Sequence, residues 1–346
     1  MRMKKFGQWS APDGWKKIRT IDLHTEGEPL RVIVGGYPEL KGKTILERRR
    51  YARDHLDFYR TALMWEPRGH ADMYGCVVMP PVTDEADVGV LFLHNEGYSS
   101  MCGHGIIGLA KALLETGVLP IREPETVVKI DTPAGLITAY ARIEGGGVGA
   151  VRFHNVPSFA VALDESIDAP ELGNVKYDLA FGGAFYAYVQ ARHIDLKCSA
   201  DQVEEIIRKG MMIKKAIMRS RAIIHPFEDD LGFLYGTIFI AAPLNEAANS
   251  RNVCVFAEKQ VDRSPTGTGV SGLLAIHFAR MEIALNEPLV VESIIGTRFT
   301  GRIVNVTDFD KYQAVIPEIE GRAYITGCNE FLIDPNDPLK KGFKLG

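Results

Sequence analysis

Two glycine-rich segments contain the residue types best suited to chemistry. Residues 102–105 read Cys-Gly-His-Gly and residues 266–269 read Thr-Gly-Thr-Gly, and each segment opens an apolar stretch. A glycine-rich turn at a helix start offers unpaired backbone N–H groups and the positive end of the helix dipole, which together bind anions. Two such turns that face each other would hold one small carboxylate, unless their glycines only allow helices to pack closely. The amide groups predicted to hold it belong to Gly103, His104, Gly267 and Thr268.

Cys102 and Thr266 stand at the head of the two predicted helices, and their side chains differ in basicity. A helix N-terminus lowers the pKa of a thiol from its reference value of about 8.5, so we expect Cys102 to favour the thiolate at neutral pH. A thiolate beside a bound amino acid can remove the α-proton, and the amides at the helix ends would stabilise the resulting negative charge. Thr266 lacks an evident activating partner in the sequence and is predicted to be a poor base.

Both segments also match Gly-x-Gly-x-x-Gly, the pattern of dinucleotide-binding proteins. That fingerprint requires a strand that runs almost directly into the first glycine. Here residues 95–102 and 258–266 separate each strand-like run from its glycines. The context therefore disfavours a dinucleotide site, and we expect no cofactor.

Hydrophobic patterning places the elements that must position these residues. Apolar side chains occupy nearly every face of the helices that follow the two glycine segments, which indicates that both helices are buried. Helices are predicted at residues 46–63, 103–115, 199–212 and 269–285. Strands are predicted at residues 30–34, 88–94, 126–131, 136–143, 150–153, 184–189, 237–242, 252–257 and 314–316.

The two central helices resemble each other in sequence. A shift of 164 residues, the difference between positions 102 and 266, aligns four glycine or leucine pairs and also brings Phe92 into register with Phe256. This indicates a duplicated unit, in which a β-layer wraps around one apolar helix, twice. We predict a first domain of residues 1–172 and a second of residues 173–335, with residues 336–346 able to join the first.

Composition limits the classes of partner. A chain of 346 residues with 46% hydrophobic and 24% charged residues is typical of a globular protein with a large core. The net charge of -4 gives no reason to expect nucleic acid or an anionic membrane as a partner. No apolar run approaches the roughly 20 residues needed to cross a bilayer, so we expect a cytoplasmic protein with a small-molecule ligand.

The cysteines and acidic residues do not predict a metal site. Five cysteines occur, an odd number, without any Cys-x-x-Cys pair, which argues against disulfides and structural zinc. Glu66, His70 and Asp72 suggest metal ligands in isolation. The removal of an α-proton needs no metal, however, and none is predicted.

Several motifs in a fixed order resemble those of the proline racemase family. The resemblance runs from about residue 18 to residue 340. The matching segments are residues 21–29 (Ile-Asp-Leu-His-Thr-Glu-Gly-Glu-Pro), 66–75 (Glu-Pro-Arg-Gly-His-Ala-Asp-Met-Tyr-Gly), 101–105, 262–269, 324–327 and 334–335.

This resemblance implies an α/β fold like that of diaminopimelate epimerase. Two pseudo-symmetric domains, each with a β-layer around a buried central helix, would hold proline or a hydroxyproline in the cleft between them. It also implies that no cofactor is needed. By the same analogy, His104 and Asp262 would lie near the ring nitrogen of the substrate, although Asp262 could instead cap the turn that follows it.

Thr266 departs from the pattern of the racemases and 4-hydroxyproline epimerases in this family, which have a cysteine on each side of the substrate. Members that dehydrate trans-3-hydroxy-L-proline keep the first cysteine and have threonine at the second position. In that substrate the α-hydrogen and the hydroxyl lie on the same face of the ring. One acid/base on that face can take the proton and hand it to the departing hydroxide, giving Δ1-pyrroline-2-carboxylate through the Δ2 enamine.

Three alternatives stay open from the sequence. A 4-hydroxyproline 2-epimerase or proline racemase would use Thr266, or a water molecule it holds, for the second face. A protein that only binds amino acids would keep the helix-end site without turnover. The roles of His24, His70 and Asp72 and the oligomeric state, with a homodimer as one alternative, are not fixed by the sequence.

Overall fold

The computed structural model describes residues 9–345, and in this range strands dominate. The first half contains β1 (Lys16–Thr25), β2 (Glu28–Gly35), α1 (Ile45–His55), α2 (Asp57–Met64), β3 (Tyr74–Met79), β4 (Val88–His94), β5 (Gly97–Tyr98), α3 (Gly103–Glu115), β6 (Glu125–Thr132), β7 (Gly135–Glu144) and β8 (Gly147–His154). The second half contains β9 (Phe159–Ala169), β10 (Gly173–Phe181), β11 (Phe185–Gln190), α4 (Val203–Ser220), β12 (Leu234–Ala241), β13 (Ser250–Phe256), β14 (Gln260–Val261), α5 (Gly267–Ala279), β15 (Leu289–Glu292), β16 (Arg298–Phe309) and β17 (Tyr312–Ile333). Short 3-10 helices lie at Ala191–Ile194, Ala200–Gln202 and Asp229–Leu231.

The two halves repeat one order of strand pairing. In the first, β1 pairs antiparallel with β2, β2 parallel with β3, β3 antiparallel with β4, and β4 parallel with β6. In the second, β10, β11, β12, β13 and β15 repeat these four pairings in the same orientations. The predicted α/β fold of two pseudo-symmetric units is confirmed.

The central helices α3 and α5 are the cores of the two halves. In α3 every residue from Gly103 to Ala110 is buried, and in α5 every residue from Gly267 to Ile276. Each fully buried leucine or isoleucine contributes roughly 1.5–3 kcal/mol through removal of its surface from water. A Cβ on Gly108 would lie 2.5 Å from Leu23 Cδ1, so this glycine lets α3 pack closely against β1. At Gly108, therefore, the need for close helix packing explains the glycine.

Each half is completed by a strand that comes after the other half in the sequence. Strand β9 comes directly after β8 but pairs with β10, from Phe159 against Phe181 to Ala169 against Gly173. The last part of β17, from Ala323 to Ile333, pairs with β1. The two halves also meet where β8 pairs with β17. These exchanges join the halves into one continuous 17-stranded sheet.

The predicted domain boundary between residues 172 and 173 falls in the turn between β9 and β10. Because β9 pairs with β10 and contacts α5, strand pairing groups residues 159–169 with the second half. The division of the chain at residue 172 stays a prediction.

Three predicted helices have different bounds in the structure. The predicted helix 46–63 is two helices, separated at Leu56, whose φ of -126° is not helical. Helix α4 extends eight residues beyond the predicted end at residue 212, with an amphipathic pattern that buries Ile213 and Ile217. Helix α5 ends at Ala279 because the chain turns at Met281, which has a φ of 59°. Helix α3 has the predicted bounds.

Across residues 9–345, none of the helices is both long and apolar enough to cross a membrane.

Candidate active site

The N-termini of α3 and α5 touch each other. A Cβ added to Gly103 would lie 2.8 Å from Gly267 Cα, and a Cβ added to Gly267 would lie 2.9 Å from Gly103 Cα. Contacts this short exclude any side chain at either position without a backbone shift. The two glycines therefore bring the free amide groups of both helix starts to one place, as the carboxylate-binding hypothesis requires.

All seven residues predicted for the site line one cavity, together with five further side chains. The predicted ones are Cys102, Gly103, His104, Asp262, Thr266, Gly267 and Thr268, and the others are Tyr74, Met101, Tyr186, Tyr235 and Phe256. The cavity has a volume of only about 20 Å³, which is room for about one water molecule. A proline ring is several times larger, so the cleft has to widen before a substrate of this size enters.

Cys102 is the N-cap of α3, and its sulfur sits among hydrogen-bonding groups. The Gly105 amide donates to Cys102 Sγ at 3.2 Å, and His104 Nδ1 lies 3.2 Å from the same sulfur. The hydroxyl of Tyr74, which donates to Ser99 Oγ, is also close enough to favour the thiolate. The thiol can therefore donate a hydrogen bond to the His104 imidazole, and the other two groups can stabilise the sulfur anion.

Burial nevertheless raises the pKa of the Cys102 thiol well above its usual range. The nearby Tyr74 hydroxyl and the hydrogen bond from the Gly105 amide lower this pKa, while the nearby carboxyl groups of Asp262 and Glu28 raise it further. The expectation of a lowered thiol pKa is therefore wrong for the closed cleft, because loss of hydration outweighs the helix N-terminus. Burial also lowers the pKa of His104 to about 4, so its imidazole is neutral at pH 7.

A pH dependence follows from these two pKa shifts. Because the thiol is mostly protonated at neutral pH, the active thiolate fraction should increase with pH, and kcat/KM should rise about tenfold per pH unit between roughly pH 6 and 8. The check is a kcat/KM profile together with thiolate absorbance at 240 nm, with Cys102→Ser as the blank. A flat profile over this range would contradict the raised pKa.

Thr266 caps α5 and lines the same cavity as Cys102. Its backbone has a φ of 66°, which is unusual for a β-branched residue. The Thr266 hydroxyl is buried and has no hydrogen-bond partner of good geometry among residues 9–345. The buried Cys254 thiol lies beside it but does not line the cavity, and burial raises the pKa of this thiol well above its usual range. Thr266 therefore has no neighbour comparable to the His104 imidazole, in agreement with its description as a poor base.

Asp262 and Thr268 also border the cavity. One carboxylate oxygen of Asp262 accepts a hydrogen bond from the Ser264 amide at 2.7 Å. The two predicted roles are thus compatible, because Asp262 caps the following turn with one oxygen and lines the cavity as well. The hydroxyl of Thr268 hydrogen-bonds to that of Tyr186 at 2.8 Å, which fixes the first turn of α5.

The turn between β1 and β2 holds both glycine segments in place. The Thr25 hydroxyl donates to the His104 carbonyl at 2.8 Å. Glu28 is fully buried, and one of its carboxyl oxygens accepts a hydrogen bond from the Arg263 amide at 2.7 Å. Burial, together with the charge of Asp262, raises the pKa of Glu28 well above its usual range. The sequence pattern assigned no role to Thr25 or Glu28, although both lie in the quoted motif at residues 21–29.

The remaining histidines and acids of the motifs lie outside this cavity. His24 Nδ1 accepts a hydrogen bond from the Gly27 amide, so His24 stabilises the β1–β2 turn. His70 borders a different cavity, and Asp72, which borders it too, forms an ion pair of 2.7 Å with Arg263. Within the described range, no three His, Cys, Asp or Glu side chains are arranged to hold a metal ion.

Comparison with known proteins places this arrangement in a family. The model of the proline racemase family matches residues 20–344. The chain belongs to the proline racemase family. This family member is 45% identical to the trans-3-hydroxy-L-proline dehydratase of Colwellia psychrerythraea, over 99% of this chain and 97% of the relative. It is 46% identical to the trans-3-hydroxy-L-proline dehydratase of Bacillus thuringiensis subsp. konkukian, over 96% and 99%.

Other proteins similar to this proline racemase family member are named as epimerases. A 3-hydroxyproline 2-epimerase of Burkholderia multivorans is 45% identical, over 95% of this chain and 98% of the relative. The crystal structure of a hydroxyproline epimerase from Agrobacterium vitis with bound trans-4-hydroxy-L-proline matches with a TM-score of 0.91 and 32% identity, over 96% of both chains. Both kinds of relative thus share the fold over nearly the full chain.

Proposed function

We propose that this protein dehydrates trans-3-hydroxy-L-proline to Δ1-pyrroline-2-carboxylate, with Cys102 as the base. It is a hydro-lyase, and the first product is the Δ2 enamine, which tautomerises to the cyclic imine. Each step moves a proton or breaks a C–O bond, and no electron acceptor is consumed. The reaction therefore requires no cofactor.

The asymmetry between Cys102 and Thr266 is the observation that carries this proposal. The thiol of Cys102 has hydrogen-bonding groups around it, including the His104 imidazole. The hydroxyl of Thr266, at the head of the other helix, has the buried Cys254 thiol nearby but forms no hydrogen bond of good geometry in the described part of the chain. One face of the substrate thus meets a base and the other does not, which suits elimination on one face and disfavours inversion.

The helix starts supply the electrostatic part of the mechanism. The amides of Gly103, His104, Gly267 and Thr268 bind the substrate carboxylate, and Asp262 binds the ring ammonium together with His104. When the α-proton leaves, negative charge spreads onto the carboxylate, where the amides already point. Binding and catalysis thus use the same groups, more strongly in the transition state.

Cys102 serves twice in this cycle. Its thiolate removes the α-proton of the substrate, and the C3–O bond then breaks with its electron pair leaving on oxygen. The proton that Cys102 removed passes on to the hydroxide, water is released, and the thiolate is thereby restored. Both the α-hydrogen and the hydroxyl of trans-3-hydroxy-L-proline face the cysteine, so a single group can complete the syn elimination.

A substrate panel tests the proposal. The wild-type protein is incubated with trans-3-hydroxy-L-proline, its cis isomer, trans-4-hydroxy-L-proline and both prolines, and the cyclic imine is detected with o-aminobenzaldehyde. Imine from the trans-3 isomer alone is the expected result. Inversion of trans-4-hydroxy-L-proline or proline without imine would favour an epimerase or racemase, and binding without any turnover would favour a binding protein.

A further inference from the structure

A chain of three buried hydroxyl groups crosses the cleft beside the candidate site. The Tyr74 hydroxyl donates to Ser99 Oγ at 2.5 Å, and the hydroxyls of Ser99 and Tyr235 share a hydrogen bond of 2.8 Å. The three side chains are only 3%, 1% and 8% exposed. Tyr74 begins β3, Ser99 precedes α3, and Tyr235 lies in β12 of the other half. We call these three groups the hydroxyl chain.

The hydroxyl chain lies beside the base. Tyr74 and Tyr235 line the cavity, whereas Ser99 lies behind them. The Tyr74 hydroxyl is close enough to the Cys102 sulfur to lower the pKa of the thiol, and the Tyr74 ring packs edge-on against the His104 ring with centroids 4.7 Å apart. The hydroxyl chain therefore lies on the side of the substrate that faces Cys102.

Among the described residues, the repeat-equivalent positions of the second half do not reproduce this chain. Phe92 and Phe256 are equivalent in the two halves, and they pair with Cys76 and Gly236. Because Tyr74 and Leu234 each lie two residues before these partners, Leu234 is the equivalent of Tyr74. Ser99 and Arg263 each lie three residues before the residue that caps the central helix. Leucine and arginine thus replace tyrosine and serine, so the repeat differs where hydroxyl groups approach the base in the first half.

The direction of the substrate C3 atom is set by its other contacts. With the carboxylate at the helix starts and the ring nitrogen near Asp262, C3 faces the remaining wall of the cavity. In trans-3-hydroxy-L-proline the hydroxyl on C3 lies on the same face as the α-hydrogen, which points to Cys102. In this proposed pose the leaving oxygen lies on the Cys102 side of the cavity, whose wall includes Tyr74.

We propose, on the basis of the dehydratase function, that Tyr74 donates the proton that the departing C3 oxygen takes up, and that Ser99 and Tyr235 hold Tyr74 for this step. The C3–O bond breaks, and its electron pair leaves with the oxygen. The Tyr74 proton moves to that oxygen to form water while the Cys102 thiol, which holds the former α-proton, returns a proton to the Tyr74 oxygen. The cysteine ends as thiolate and the tyrosine as a neutral phenol.

The test is Tyr74→Phe with two leaving groups. On trans-3-hydroxy-L-proline, kcat should fall about 100-fold, because the hydroxide loses its proton donor. On trans-3-chloro-L-proline, which releases chloride and needs no proton for this, the rate of pyrroline-2-carboxylate formation should stay within about threefold of wild type. Ser99→Ala should show the same selectivity with a smaller loss, of about tenfold.

The outcomes separate this proposal from the function it rests on. Equal losses on both substrates would mean that Tyr74 supports Cys102 or the fold and does not donate a proton to the leaving group, which would overturn the proposal. Full activity of Tyr74→Phe on trans-3-hydroxy-L-proline would overturn it as well. A wild-type protein that eliminates chloride but does not dehydrate trans-3-hydroxy-L-proline would overturn the dehydratase function itself. Tyr140→Phe, in β7 away from the cavity, is the matched control and should behave as wild type.

Discussion

Replacement of Cys102 by serine should lower kcat for dehydration by about 10²–10⁴-fold and leave the protein folded. A serine hydroxyl is a far weaker base than a thiol near neutral pH, even with the His104 imidazole beside it. Serine is also a favoured N-cap, so the hydrogen bond from the Gly105 amide should persist and α3 should keep its start. Imine formation measures the loss, and thermal unfolding with pyrrole-2-carboxylate binding shows that the cleft is intact.

The exposed cysteine Cys328 provides the control for this experiment. Cys328→Ser removes a thiol from β17 outside the cavity and should retain full activity. Near-normal turnover by Cys102→Ser would show that another group removes the α-proton. A variant that neither turns over nor binds pyrrole-2-carboxylate would point to a folding defect, which thermal unfolding would reveal independently.

Replacement of Thr266 by cysteine should produce an activity that the wild type lacks, the inversion of proline or 4-hydroxyproline at the α-carbon. The new thiol would stand at the start of α5, opposite Cys102, so that proton exchange becomes available on both faces of the substrate. The backbone accepts the change, because a φ of 66° is less strained for cysteine than for β-branched threonine. Incubation in deuterium oxide, with mass spectrometry for α-deuteration and chiral separation for configuration, measures the gain.

Thr266→Ser is the matched control for the gained inversion. It removes the β-branch but supplies no thiol, so it should remain a dehydratase with little inversion. Rapid inversion by the wild type would overturn the assignment in favour of an epimerase. If a folded Thr266→Cys protein binds pyrrole-2-carboxylate but gains no inversion, something other than the missing thiol blocks the second face.

The sequence predicted the two glycine segments well because each is local. A capping residue, a glycine turn and an apolar helix follow one another in the chain, so their type and spacing are visible without the fold. The bounds of α3 and the 164-residue repeat were found in this way. That Gly103 and Gly267 touch, by contrast, depends on packing between distant segments.

Burial and long-range contacts explain what the sequence could not predict. The pKa of Cys102 depends on how completely water is removed from the closed cleft, which no local pattern encodes. The chain from Tyr74 through Ser99 to Tyr235 joins three separate segments. Tyr74 lies in one of the quoted motifs and could have been singled out there, but Tyr235 has no sequence signal beyond its place in a strand-like run.

The exchanged strands β9 and β17 have a consequence for symmetry. Each half needs a strand that follows the other, so two identical half-length chains could build the same architecture only as a strand-swapped pair. Such a pair would necessarily carry the same residue at both helix starts and the same wall on both faces of the substrate. Covalent linkage of the halves is what permits a cysteine with its hydroxyl groups on one face and an inert threonine on the other.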